Sequence, residues 1–334
     1  MSVQYASLRE RLEYRVGALL YVPASHKTIA EKICGGTIEY LSSVAFCLED
    51  TIQDNALEAA EEQLCATLAA IDNDMKVNLR QFGDYPMMFI RVRTPAHLAA
   101  LYPKIKQYGD LITGFILPKF DLSNVTEYSG LITAINADRE AKPLYIMPIL
   151  ESSSIAYKET RMQTLVKLLW YLDGISDYVL NIRVGGNDFS NRFALRRNVT
   201  QTVYDMELIK DILVDILNVF SRKYVISAPV WEYFDTVGGS AAWSDGLSRE
   251  VALDRLNGFV GKTAIHPSQL PVILDGLRVS RSDYLEALQI LNWSTDGLAV
   301  SKGASGRMNE VKVHGEWAKK TLKLAEAYGV KNDD

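Results

Sequence analysis

The chain has 334 residues, 48% of them hydrophobic and 23% charged, so it can bury the core of a large domain and is not intrinsically disordered. Its 36 basic and 41 acidic residues leave a net charge of -5, which does not suit binding to nucleic acid or to anionic membranes. Three scattered cysteines exclude a disulfide scaffold and a cysteine-rich zinc site. The charged N-terminal segment is not a secretory signal, and the apolar run near it is far shorter than the ~20 residues of a membrane span. We therefore expect a cytoplasmic protein.

Eight short apolar runs are predicted to be β-strands. They are nearly continuous in Val, Ile, Leu, Met and Phe, which is typical of parallel strands covered on both faces. In chain order they are Ala18–Ser25, Val44–Asp50, Met87–Thr94, Gly114–Phe120, Leu144–Glu151, Tyr178–Val184, Tyr224–Val230 and Lys262–His266.

Helix-length amphipathic segments lie between these runs. Asp54 and Asn55 form a natural N-cap, and Pro95 suits a first helical turn, where its missing N–H costs nothing. The predicted helices are Thr28–Leu41, Asp54–Phe82, one beginning at Pro95, Asn198–Phe220 and Leu247–Leu256. After His266 the alternation stops. Three more helices are predicted there, over Leu270–Leu277, Arg281–Asn292 and about Val311–Tyr328. The stretch Thr295–Gly306 before the last of them is rich in Gly, Ser and Ala, and no further strand is predicted.

Eight strand-then-helix units in about 250 residues have the size of a TIM (β/α)8 barrel. A doubly wound open sheet shows the same alternation and is the alternative, but the regular number of units favours closure. We therefore predict three parts. Residues 1–17 form an N-terminal arm, 18–275 the TIM-barrel catalytic domain, and 276–334 a C-terminal helical segment that acts as a lid or in oligomerisation.

Polar and ionisable residues follow nearly every predicted strand. In a closed barrel the carboxyl ends of all strands meet at one mouth, where the chemistry of such enzymes takes place. Residues that end different strands would therefore converge although they are far apart in the chain. The candidates are Ser25 and Lys27 after the first strand, Glu49 and Asp50 after the second, Arg91 and Arg93 on the third, Lys119 after the fourth, Glu151 after the fifth and Asp188 after the sixth.

These residue types suit a hard cation and an anionic substrate. Glu151 and Asp188, with little His or Cys nearby in the pattern, are the oxygen ligands that Mg²⁺ prefers. Arg91, Arg93 and Lys119 would attract an anionic substrate, since an arginine side chain can bind a carboxylate through two parallel hydrogen bonds. The alternative is that these charges form structural ion pairs at the barrel rim. Ser25 and Lys27 would bind a phosphate, or cap a helix in the ordinary way.

Short motifs along residues 18–325 resemble, in order, those of the citrate lyase β-subunit and malyl-CoA lyase superfamily of TIM-barrel lyases, the HpcH/HpaI aldolase superfamily. They resemble most closely a divergent branch of C–C bond lyases that accompany tellurite-resistance and stress gene clusters. The motifs are Leu20-Tyr21-Val22-Pro23-Ala24-Ser25, similar to the family's Leu-Phe-Val-Pro-Gly-Ser, then Leu48-Glu49-Asp50, Ile90-Arg91-Val92, Leu117-Pro118-Lys119, Pro148-Ile149-Leu150-Glu151, Gly185 to Asp188, Gly258 to Lys262, Ile265 to Gln269, and Gly306-Arg307-Met308.

The resemblance implies a Mg²⁺-dependent lyase that breaks or forms a bond between a keto acid and an acyl enolate, such as that of a CoA thioester. Glu151 and Asp188 would hold the metal, and Arg91 would stabilise negative charge beside it. Asp50 would support the metal's waters and orient Arg91, with Glu49 next to it. In the family a carboxylate of the C-terminal segment, here Glu310, moves the proton, often in a neighbouring subunit.

Several residues depart from the family's pattern. Glu310 replaces an Asp and is one methylene longer, which would move the carboxylate by about 1 Å. Arg93 replaces an Asn, Asn187 replaces a common acidic residue, and Arg183 would add a positive charge if it faces inward. The predicted site is thus more cationic than the family's, which indicates a substrate with an additional phosphate or carboxylate.

Two other functions fit the sequence. One is a class II pyruvate-type aldolase that acts on free or phosphorylated acids. The other is a ligand-binding accessory protein of a stress-response cluster that does not catalyse a reaction. The family's habit of placing the C-terminal segment over a neighbouring subunit predicts a homo-oligomer, either a trimer or a hexamer.

Overall fold

The structure, a computed structural model, describes residues 3–137, 139, 142–236, 239–292, 300–302 and 306–332. The chain divides into two compact units, residues 1–273 and 274–334. Among the described residues, no helix is both long and apolar enough to cross a lipid bilayer.

The first unit is built on eight parallel strands in consecutive order. Each strand pairs with the next one along the chain, and β8 pairs with β1. A parallel bridge between Ala228 and Lys262 joins the ends of the order, β7 and β8. This closure excludes the open doubly wound sheet and confirms the predicted TIM barrel. The strands are β1 Ala18–Pro23, β2 Ser43–Cys47, β3 Met87–Arg91, β4 Gly114–Leu117, β5 Tyr145–Leu150, β6 Ile182–Val184, β7 Ile226–Ser227 and β8 Lys262–Ala264.

Helices surround the barrel and follow its strands. An N-terminal helix, Val3–Arg15, precedes β1. The others of this unit are Ile29–Cys34, Leu57–Val77, Pro95–Ile105, Val125–Ala137, Ser153–Ala156, Lys158–Asp173, Gly186–Arg192, Glu207–Phe220 and Ala242–Asn257, and Gln269–Leu277 runs across the boundary to the second unit. We number these α1 to α11 in chain order.

Four predicted helices differ from the observed ones by more than two residues at one end or both. The helix predicted over Asp54–Phe82 runs from Leu57 to Val77, and the helix predicted over Leu247–Leu256 begins at Ala242. The helix predicted over Thr28–Leu41 ends at Cys34, because Gly35 and Gly36 follow and Gly36 adopts a left-handed φ of 63°. The helix predicted from Asn198 begins only at Glu207. Before it, Thr202 caps a short 3-10 turn reciprocally with Asp205.

Alternate residues of the strands point into the barrel, as the period of two requires. The lower interior is apolar, and its buried cluster includes Leu19, Phe89, Tyr145, Met147 and Leu180. Leu12 of the N-terminal helix packs against the same cluster. Ionisable residues follow at the carboxyl ends of the strands, where the candidate site lies.

The second unit contains helices α12 (Arg281–Leu291) and α13 (Val311–Tyr328). The prediction of no further strand here is wrong, since β9 (Val300–Lys302) pairs antiparallel with β10 (Met308–Glu310). Arg307, directly before β10, forms ion pairs with Asp283, at 2.8 Å, and with Glu286, both on α12. Most of the predicted Gly-, Ser- and Ala-rich stretch, Thr295–Gly306, lies outside the described residues.

Candidate active site

Five ionisable residues from four neighbouring strands meet at the carboxyl end of the barrel. Arg91, the last residue of β3, is the centre of the group. Its Nη2 lies 2.6 Å from an oxygen of Glu49 and 2.9 Å from one of Asp50, both of which follow β2. The same nitrogen lies 3.7 Å from Glu151, which follows β5. The structure thus brings together residues that are about 100 positions apart in the chain.

Lys119 connects β4 to this group through both its backbone and its side chain. Its backbone N–H donates a hydrogen bond to Oε1 of Glu151 at 2.8 Å, and its ammonium group forms an ion pair with Glu49. Lys119 has a left-handed φ of 49°, which is unfavourable for a residue with a side chain. Asn124 bonds to the carbonyl oxygen of Lys119 at 2.9 Å and helps to hold this turn.

Glu151 is a buried carboxyl group with a raised pKa. It is 2% exposed, and burial raises its pKa to about 8, opposed by Arg91 and reinforced by the charge of Asp188. Asp188 lies in the first turn of α8, directly after β6. A Cβ atom at Gly185 would lie 2.1 Å from Oε2 of Glu151. Only glycine at position 185 therefore leaves room beside this carboxylate.

The charges around Arg91 keep it and Asp50 ionised. Burial disfavours the charged form of Arg91, but Tyr21, Glu151 and Glu49 outweigh it and raise the pKa of Arg91. Burial also opposes ionisation of Asp50, yet Arg91 lowers the pKa of this carboxyl group below its usual value. The mouth therefore presents a fixed guanidinium held by two carboxylates.

Arg93 lies close to this group but its guanidinium is already engaged. It donates hydrogen bonds to the carbonyl oxygens of Leu48, at 2.7 Å, and Ile52, at 2.5 Å, and it forms an ion pair with Asp54. These contacts tie the loop after β2 to β3. They favour a structural role for Arg93, while its predicted role in binding substrate stays a prediction.

Ser25 and Lys27 make no hydrogen bond or ion pair with the described residues of this group, and Glu310 belongs to the second unit. Ser25 and Lys27 are exposed on the loop after β1. Glu310 ends β10 in the second unit, where its backbone N–H donates to Nδ1 of His314 at 2.9 Å. The roles predicted for these three residues stay predictions.

Two interior residues, Tyr21 and Thr263, were not among the predicted site residues, and a third, Arg183, was expected to add a positive charge only if it faced inward. The ring of Tyr21 lies 5.6 Å from the guanidinium carbon of Arg91. Arg183 of β6 points inward and donates to the hydroxyl of Thr263 at 2.6 Å. A signal for Tyr21 was present in the sequence, because it occupies the position of the family's Phe in the first motif and adds a hydroxyl group there.

The donors at the mouth suit a hard cation bound by few protein ligands. In the part of the chain that the structure describes, no three His, Cys, Asp or Glu side chains are grouped as a metal site. Glu151 and Asp188 offer two carboxylates, and Mg²⁺ commonly takes one or two, with water and substrate oxygens completing its shell. The charge of Asp188 contributes to the raised pKa of Glu151, a repulsion that a bound cation would relieve. The donor set therefore fits a magnesium ion.

Solved structures with the same fold include several citrate lyase-like proteins. One is CitE of Mycobacterium tuberculosis in complex with magnesium, acetoacetate and coenzyme A, with 17% identity, a TM-score of 0.62, and coverage of 94% of this chain and 99% of that one. Another is a citrate lyase of Burkholderia xenovorans LB400, with 15% identity, a TM-score of 0.67, and coverage of 95% and 94%. At these identities the likeness shows the fold alone.

A third structure is the citrate lyase β-subunit of M. tuberculosis complexed with oxaloacetate and magnesium, with 16% identity, a TM-score of 0.53, and coverage of 79% of this chain and 98% of that one. No protein of curated function matches the sequence. The family model described as C-C bond lyase of the TIM-barrel fold matches residues 10–330. The resemblance of the motifs to TIM-barrel C–C bond lyases is thereby confirmed, whereas the association with tellurite-resistance and stress gene clusters stays a prediction. The chain belongs to this family of TIM-barrel C–C bond lyases.

Proposed function

We propose that this protein is a Mg²⁺-dependent C–C bond lyase of the citrate lyase β-subunit type. It would cleave or form a bond between a keto acid and the enolate of an acyl group such as a CoA thioester. The observation that carries the proposal is the pair of carboxylates, Glu151 and Asp188, at the ends of adjacent strands beside the buried guanidinium of Arg91.

Glu151 and Asp188 are the residues that would hold the magnesium ion. A bound Mg²⁺ would act as a Lewis acid on the keto acid's oxygen atoms. Support for this assignment comes from the fit of the two carboxylates described above and from relatives of the same fold that carry magnesium. Lys119 donates its backbone N–H to Glu151 and so orients this carboxylate.

Arg91 would stabilise the negative charge that develops on the substrate oxygen as the C–C bond breaks. Its guanidinium is oriented in advance by Glu49 and Asp50, so no reorganisation is needed when the charge appears. Glu49 in turn is held by Lys119. These contacts support the proposal that Glu49, Asp50 and Lys119 position Arg91, and Glu310 keeps its proposed role in proton transfer.

The substrates proposed here follow the ligands named for the relatives. The CitE structure contains acetoacetate and coenzyme A, and another relative contains oxaloacetate. An assay of keto acids with and without an acyl-CoA partner separates a lyase that uses the thioester from an aldolase that acts on free acids. Turnover that does not depend on the thioester would favour the aldolase.

The metal assignment is tested by titrating purified protein with Mg²⁺ in a calorimeter. The wild type should bind the ion saturably, whereas Glu151→Gln and Asp188→Asn should lose binding and keep the wild-type circular dichroism spectrum. Asp110→Asn is the matched control, because Asp110 is an exposed carboxylate paired with Arg139. Unchanged binding in both site variants would refute the assignment.

A further inference from the structure

Arg183 is a buried arginine without an acidic partner among the described residues. Its side chain is on β6, points into the barrel and is 1% exposed. Nη2 donates to Oγ1 of Thr263 at 2.6 Å, but Nε and Nη1 have no hydrogen-bond partner among the described residues. Arg183 also forms no ion pair with a carboxylate in that part of the chain. A buried charge of this kind is unfavourable unless something compensates it.

The groups around Arg183 do not compensate its buried positive charge. Burial lowers the pKa of Arg183, interaction with the phenol group of Tyr21 opposes this effect, and the charge of Arg91 adds to it. Arg91 differs because Glu49 and Asp50 neutralise it at 2.6 and 2.9 Å. The barrel interior therefore contains two guanidinium groups and compensates only one of them. An arginine cannot relieve the imbalance by losing its proton.

Solvent reaches the residues that contact Arg183. Tyr21 on β1 and Thr263 on β8 both face the interior, yet both are only partly buried. Tyr21 lies beside Arg91 as well, so the same ring borders the proposed catalytic group and the uncompensated arginine. A small anion at the mouth can therefore extend toward Arg183 without passing through the apolar lower core.

We infer that Arg183, together with the hydroxyl groups of Tyr21 and Thr263, binds a second anionic group of the substrate. This group is a carboxylate or a phosphoryl-type anion, since a guanidinium can bind two oxygen atoms of either in parallel. The inference rests on the proposed function and deepens it, because it makes the substrate a keto acid with two anionic groups. The additional positive charge expected from the sequence is thereby assigned to Arg183 rather than to Arg93.

The test compares one keto acid that has a single anionic group with two that have a second one. Calorimetric titrations at saturating Mg²⁺ would use pyruvate, freshly prepared oxaloacetate and phosphonopyruvate. The wild type should bind at least one of the two dianions about tenfold more tightly than pyruvate. The dianion that is preferred identifies the second group as a carboxylate or a phosphonate.

Arg183→Met should remove this preference and leave the affinity for pyruvate within about threefold of the wild type. Arg161→Met is the matched control, because Arg161 is an equally buried arginine, but it lies on α7 and pairs with Asp211 and Asp215. It should lose stability and keep the preference. If Arg183→Met does not fold, Thr263→Val tests the same site with a smaller expected loss of dianion affinity.

The inference is overturned if the folded Arg183→Met, or Thr263→Val in its place, retains the full preference, or if the wild type binds pyruvate as tightly as both dianions. Its failure differs from failure of the proposed function. A wild type that binds pyruvate as tightly as both dianions overturns only the role of Arg183, whereas a wild type that binds no keto acid in the presence of Mg²⁺ removes both.

Discussion

Lys119 combines a strained backbone with contacts to two acidic residues of the site. Its left-handed backbone directs the N–H onto Glu151, while its side chain extends to Glu49. Glycine would adopt this backbone conformation without steric cost, but it would provide no ammonium group. The backbone at position 119 is therefore strained because a residue with a side chain occupies it, and the ammonium group of that side chain pairs with Glu49 at the barrel mouth.

The strain at Lys119 can be measured by comparing two truncations. Both Lys119→Ala and Lys119→Gly remove the ion pair with Glu49, so they differ in the backbone alone. We expect the Gly variant to be more stable by about 1 kcal/mol in urea unfolding, because its φ is positive.

The same pair of substitutions at Lys76 provides the control. Lys76 is an exposed residue within α3. There the order should reverse, with Ala more stable than Gly by about 1 kcal/mol. An Ala variant at position 119 that equals or exceeds the Gly variant in stability would show that this backbone is not strained.

At the scale of secondary structure elements, a buried ionic cluster joins β8 to α10. Nζ of Lys262 on β8 lies 2.8 Å from Glu250 and 2.8 Å from Asp254, both on α10. All three side chains are buried. Tyr204 donates a hydrogen bond to Asp254 at 2.7 Å. The cluster lies at the strand that closes the barrel, because Lys262 also forms the bridge to Ala228.

Lys262→Met should destabilise the protein strongly, because it leaves Asp254 buried without a cation among the described residues and leaves Glu250 with Arg197 alone, 3.4 Å away. Loss of one partner from such a cluster costs about 3–5 kcal/mol of the free energy of unfolding. Lys158→Met is the control. Its ammonium group is 78% exposed and pairs with Asp211 at 3.4 Å, so its loss should cost less than about 1 kcal/mol. Similar urea midpoints for the two variants would contradict this account.

At the scale of the whole molecule, Lys142 makes stability depend on pH. Its ammonium group is largely buried over the ring of Phe82, 3.0 Å from the ring centroid, and has no hydrogen-bond partner among the described residues. Burial lowers its pKa from 10.5 to about 7. Between these two values the unfolded chain binds a proton that the folded protein does not, so the free energy of unfolding rises with pH.

We expect urea unfolding to show that the wild type becomes more stable from pH 7 to pH 10 relative to Lys142→Met. At pH 7 the Met variant should be the more stable by at least about 1 kcal/mol, and the difference should shrink as the pH rises. Lys106→Met, at an exposed lysine, should follow the wild type throughout. A constant difference between wild type and Lys142→Met would show that Lys142 does not titrate in this range.

The two units contribute different residues to the proposed function. The barrel contains the complete group around Arg91, whereas Glu310 belongs to the second unit. The prediction that this acidic residue acts in the site of a neighbouring subunit stays a prediction, as does the trimer or hexamer it requires. Light scattering on the purified protein measures the number of subunits directly.

The amino-acid sequence was sufficient to determine the barrel and the residues that end its strands. Eight apolar runs with helices between them have few ways to pack, and a strand's last residues reach the mouth wherever the strand lies in the barrel. This is why Glu49, Arg91 and Glu151 could be grouped before any contact was known.

Only the tertiary structure decided which positive charges remain available. Arg93 and Arg183 looked alike in the sequence, as two cations near strand ends. Arg93 is satisfied by carbonyl oxygens about 40 residues earlier in the chain, whereas Arg183 faces the interior without an acidic partner in the part of the chain that the structure describes. Whether a buried charge is compensated depends on partners that folding brings close to it. These partners lie far away in the sequence, so the residues next to the charge do not identify them.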